Sequence, residues 1–248
     1  MNSPVRDIRH TRTRRKYDFG VLMKQSSEIV RLAGEVRTRL NLLSTRTTPM
    51  VRATRRVFSR AIAAAPPEIV RQLALHLLED DSELLRFFCY EMLTHHRRAW
   101  EQLSTDDLLK LGRGLNSWSS VDCFAMYLAG PMWAEGRLAN ETIDAWARGE
   151  DRWWRRAALV STVALSRRAG PEDLHRVLRV CGLLAADTDD MVVKAQSWAL
   201  REAAKKHPRE VRAFLVEKEH NLAARVVREV NNKLRTGLKT PRPSTPGR

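Results

Sequence analysis

Three stretches of this 248-residue chain set tryptophan beside charge at helical spacing. Trp118 precedes Asp122 by four residues in NSWSSVDCFA, which puts an indole and a carboxylate on one helical face. Trp153-Trp154-Arg155-Arg156 opens a long helical pattern, with Arg156 on the turn after Trp153. Trp198, in VVKAQSWALREAAKKHP, has Lys194 and Arg201 within one turn. The chemistry open to such groups is specific. An indole face attracts a cation by ~0.5–2 kcal/mol. A desolvated carboxylate stabilises developing positive charge, and a guanidinium grips a phosphate with a planar fork. Each tryptophan taken singly also has a plainer reading, as a core side chain with a solvated charge beside it.

Other chemistries lack their residues. The chain has no G-x-x-x-x-G-K-[ST] or G-x-G-x-x-G cradle for a nucleotide cofactor. It has no H-E-x-x-H, no H-x-E with P-C-x-x-C, and no G-x-S-x-G elbow. Cys89, Cys123 and Cys181 are far apart and odd in number, which gives no disulfide framework and no zinc site. His95 and His96 are adjacent and point to different sides of a helix, so they read as surface residues at a helix end rather than as metal ligands. The expectation is no metal and no cofactor.

The elements that must position these residues are helices. Apolar residues recur at helical spacing from Leu22 to Leu40, then over 50–64, 67–78 and 83–95, the last with an N-cap at Asp81-Ser82. Ser104 with Asp107 resembles an acidic capping box. Helices are predicted over 118–128, 140–147, 151–168, 172–186, 189–206, 208–218 and 221–236, and no alternating strand pattern interrupts them. Helices in pairs every ~35–45 residues are the rhythm of an α-solenoid of the HEAT or armadillo kind, and equally that of a helical bundle.

The charge is +15 overall and unevenly spread. Residues 1–60 carry +11 and residues 232–248 carry +5, whereas 61–231 carry −1. Basic ends gain affinity for a polyanion by releasing counterions from phosphates, or serve as solubilising tails. The organisation expected is a disordered basic arm over 1–17, one helical domain over 18–236, and a disordered Pro-rich basic tail over 237–248. Charged residues at 29% exclude an integral membrane protein, no secretory leader is visible, and the three cysteines, odd in number and far apart, fit a reducing cytosol and a cytoplasmic protein.

Four blocks together carry a resemblance that covers about residues 48–235. Arg86–His96 (RFFCYEMLTHH), Ser117–Asp122 (SWSSVD), Trp153–Val160 (WWRRAALV) and Met191–Pro208 (MVVKAQSWALREAAKKHP) resemble, in order and spacing, blocks of the DNA alkylation repair enzymes of the AlkD type, which are HEAT-like-repeat DNA glycosylases. That resemblance implies an all-α fold, an α-solenoid of HEAT-like helical repeats with a concave DNA-binding groove. It implies Asp122 as the catalytic carboxylate, Trp118 and Trp198 as the aromatic residues that hold the damaged nucleotide, and Arg156 as a ligand of the DNA backbone. Arg148, Arg152, Arg155, Lys194 and Arg201 are further backbone candidates. Ser119 and Ser120 stand where the family often has an aromatic and an acid, and a charged Arg155 stands where an uncharged residue is usual.

The implied reaction suits these residues. A purine alkylated at N7 or N3 is cationic and leaves as a neutral base, so no strong general acid is needed. One carboxylate that stabilises the oxocarbenium and positions water suffices. The expected protein is a monomeric, monofunctional glycosylase acting on double-stranded DNA with alkylated bases, without lyase activity, and reading the lesion without a base-flipping pocket. A HEAT-repeat protein that binds damaged or branched DNA without excision is the alternative, and a protein-interaction scaffold is a third reading.

Overall fold

A computed structural model describes residues 9–168 and 170–240, with side chains from Met23 onward. The described residues are helical and include no strand. They form two compact units, Met1–Gln102 and Leu103–Arg248.

The first unit holds α1 (Arg9–Asn41), α2 (Thr48–Ala61), α3 (Pro67–Leu77), α4 (Glu83–His95) and α5 (Arg97–Glu101). Pro49 and Pro67 occupy first turns, where a missing N–H costs nothing. Ser82 caps α4 by accepting from Leu85 N at 3.4 Å, as its place in the sequence predicts. α3 packs on α1 and α4, and α4 packs on α2 through Phe58 and Phe88, whose ring centroids lie 5.7 Å apart. Two sequence expectations change here. The helix α1 reaches back to Arg9, into the stretch expected to be a disordered arm; no Pro or Gly interrupts 9–19, and extending a formed helix is cheap compared with nucleating one. Residues 1–8 lie outside the described residues. His96 is buried rather than on the surface, because its Nδ1 accepts from Ala99 N at 3.2 Å and caps α5.

The second unit holds α6 (Thr105–Leu111), α7 (Trp118–Phe124), a π-helical turn (Ala125–Ala129), α8 (Gly130–Ala134), α9 (Asn140–Arg148), α10 (Arg152–Arg168), α11 (Pro171–Leu183), α12 (Asp190–Ala203), α13 (Pro208–Glu217) and α14 (Ala224–Thr236). Ser104 and Asp107 form the expected capping box at α6. The core axis is α10, which packs on α7, α8, α9, α11 and α12, and α12 in turn packs on α14. Meanwhile α9 packs on α11, and α13 leans on α12 and α14. The expected single helix over 118–128 is interrupted by the π turn, because Pro131 has no N–H to continue an α-helical ladder. Much of the tryptophan is structural: Trp146 and Trp154 pack against each other and Phe124, the two indoles 4.7 Å apart and tilted by 47°, and buried Trp133 donates from Nε1 to Asn140 Oδ1 at 2.9 Å. The tail beyond Thr240 lies outside the described residues. No described helix is long and apolar enough to cross a membrane.

Candidate active site

The site is assembled at the N-terminal ends of three helices of the second unit. Ser117 caps α7 by accepting from Ser120 N at 3.2 Å, and Ser120 Oγ accepts in return from Ser117 N at 3.4 Å. Ser120 therefore helps fix the start of this helix. Trp118 follows the cap and is 60% exposed; it is the one exposed tryptophan among the seven. An exposed indole offers a large apolar face that packing in the fold does not use.

One turn later Asp122 lies half-buried and meets Arg156 of α10 in a two-point ion pair. Arg156 Nε donates to Oδ1 at 2.9 Å, and Nη2 donates to Oδ2 at 2.9 Å. Burial pushes the Asp122 carboxyl above the usual carboxylate range, against the opposing pull of the Arg156 hydrogen bonds and charge. The third corner is Met191 of α12, whose carbonyl accepts from Arg156 Nη1 at 2.5 Å. Arg156 is 5% exposed, and its guanidinium donates to both of these partners.

Arg155 is a brace. Its Nε donates to Asp187 Oδ2 at 2.7 Å, and its Nη1 donates to the carbonyls of Gly149 and Glu150. Asp187 Oδ1 in turn accepts from Asp189 N at 2.9 Å, and Asp189 caps α12 at Met191 N at 2.8 Å. A chain of hydrogen bonds thus runs from Arg155 to the helix end that presents the Met191 carbonyl. This half-buried guanidinium thus finds acceptors in both neighbouring loops.

The remaining candidates divide. Arg148, Arg152 and Lys194 are exposed and pair with Asp144 at 3.6 Å, Asp189 at 3.5 Å and Asp190 at 2.6 Å respectively, and Arg152 also lies over the Trp153 ring at 4.8 Å. Arg201 is largely covered and turned toward Ser197 and Glu229. Trp198 does not join the Trp118–Asp122–Arg156 group. It lies two turns past Met191, ~10 Å along α12, in a cavity of about 330 Å³ with Val163, Arg167, Glu202, Lys205 and Lys206. Among the described residues no three His, Cys, Asp or Glu side chains converge as a metal would require.

Sequence reasoning found Asp122 and Trp118 through their spacing but missed the Arg156 clamp, the Met191 carbonyl and the Arg155 brace. Asp122 and Arg156 are 34 positions apart, and only packing of α7 on α10 joins them. No curated protein and no solved structure gives a match. The family model for DNA alkylation repair enzymes matches residues 37–234, a span that includes every residue of this site. The chain belongs to the DNA alkylation repair enzyme family.

Proposed function

We propose that the protein is a DNA glycosylase that excises cationic N7- and N3-alkylpurines from duplex DNA by hydrolysing the N-glycosidic bond. The observation that carries this reading is Asp122, a half-buried carboxylate aimed by a two-point arginine clamp and set one turn from an exposed indole. Burial strengthens the attraction between this carboxylate and a sugar oxocarbenium, and the clamp keeps it from reorganising as charge develops. The attacking water bonds to C1′ of the sugar while its proton passes to the carboxylate, and the base departs neutral with the electrons of the broken bond. Trp118 supplies a face for the cationic nucleotide, and Arg156 positions Asp122. Arg148, Arg152 and Lys194 hold backbone phosphates, and Trp198 lies farther along α12, where it borders the nucleotides next to the lesion.

The alternation of packed helices α7, α10, α12 and α14 with α9, α11 and α13 supports a HEAT-like solenoid in which the first set lines a DNA groove. The family match over both compact units supports one functional domain of about 18–236. The test is release of free base from duplexes carrying N7-methylguanine or N3-methyladenine. Catalytic release supports the reading; salt-sensitive binding of those duplexes with no release makes the protein a non-catalytic binder instead.

A further inference from the structure

The last two helices of the second unit border an open groove of about 440 Å³ lined by Arg212 of α13 and by Arg228, Asn231, Asn232, Leu234 and Arg235 of α14. Among the described residues no carboxylate lines it. Elsewhere in this unit arginines find acids, as in Arg155–Asp187, Arg156–Asp122 and Arg176–Asp173. Here, among the described residues, Arg212 and Arg228 have no ion pair or hydrogen bond, and Arg235 reaches only Asn232 Oδ1 at 3.4 Å. The acid of α14, Glu229, is turned toward α12, where its Oε2 accepts from Ser197 Oγ at 2.6 Å, and its other partners are Arg201, Arg225 and Lys239.

The placement follows from helical geometry. Val226 and Val230 are the buried side of α14, and Arg228, Asn231 and Arg235 recur on another side, where Arg212 meets them. Three like charges so grouped repel one another unless an anion or salt intervenes. Their forks, with two side-chain amides between them, present only donors and amide groups, which match an oxyanion with several equivalent oxygens.

We propose that the α13–α14 groove is a phosphate-binding site, filled by a phosphodiester of duplex DNA outside the lesion site or by a free phosphate. The duplex source rests on the DNA reading above, whereas the free-phosphate source does not. The test compares the full chain with its Arg212→Gln/Arg228→Gln/Arg235→Gln variant. In inorganic phosphate against chloride at matched ionic strength, the unaltered protein should melt ~2–5 °C higher, and the variant should lose that shift. In chloride the variant should melt at least as high as the parent, since the crowding is relieved, which also reports that it folds. For an undamaged duplex, the log–log salt slope should become shallower by about 0.9, the change for one phosphate no longer neutralised. A shallower slope assigns the duplex as the source; a missing phosphate shift with unchanged slope assigns free phosphate. Equal phosphate shifts and equal slopes in the two proteins would overturn the site. Base excision does not enter either readout, so failure of the glycosylase reading leaves this test intact.

Discussion

Asp122 is held between two opposed influences. Desolvation favours its protonated form, and the Arg156 clamp favours its ionised form, with desolvation the larger. The signs follow. Because the folded-state pKa exceeds the unfolded one, Asp122 costs stability once pH rises through the ordinary carboxylate range, and the protonated form is the one the fold prefers. Activity that needs the carboxylate must then fall, on acidification, at a pH above that of an ordinary aspartate. Arg156→Gln removes the hydrogen bonds and the charge that lower the pKa. The acid limb of the single-turnover pH–rate profile should therefore move to higher pH, with the rate partly recovered in alkaline buffer. A limb that stays in place would mean the clamp does not tune this carboxylate. The Trp118–Asp122 pairing was legible because helical spacing is local. The clamp was not, because no sequence rule links residue 122 to residue 156.

At the scale of elements, the site depends on where three helices begin. The caps at Ser117, Asp151 and Asp189 fix those beginnings, with Asp151 Oδ1 accepting from Trp153 N at 2.8 Å. Below the site, the π turn after α7 allows Gly130 to press against α10. A Cβ there would meet the carbonyl oxygens of Ala125 and Ser161 at 2.8 Å each, and Ala164 Cβ at 3.0 Å. Gly130→Ala should accordingly cost ~1–3 kcal/mol, read as a lower urea midpoint at unchanged m-value. An unchanged midpoint would show that α8 and α10 are free to separate there. Helix positions were largely legible from apolar period and caps, as at α4 and α6. The short α5 and α8 and the π turn were not, since one or two turns carry too little periodicity to detect, and Pro131 reads as a break rather than a bulge.

For the whole molecule, charge and chemistry are separated along the chain. The positive excess lies in residues 1–60 and 232–248, and the described site lies within the near-neutral middle. Counterion release makes such ends contribute to affinity without sequence preference. Deleting residues 1–17 and 240–248 should weaken binding to undamaged duplex and flatten its salt slope, while excision at saturating protein is retained. Loss of excision at saturation would place those ends in the reacting site. The all-helical class and the basic ends were legible in periodicity and composition, whereas the division into two compact units was not, because packing between distant helices leaves no local trace. The central claim is that Asp122 is the group that stabilises the transition state. Single-turnover release of N7-methylguanine by Asp122→Asn tests it most directly, alongside duplex affinity and thermal melting. The side-chain amide keeps the shape and one acceptor for Arg156 but loses the charge. The expected result is a rate lower by ~10²-fold or more, with affinity near that of the parent and a cooperative melt. Release at the parent's rate would contradict the assignment.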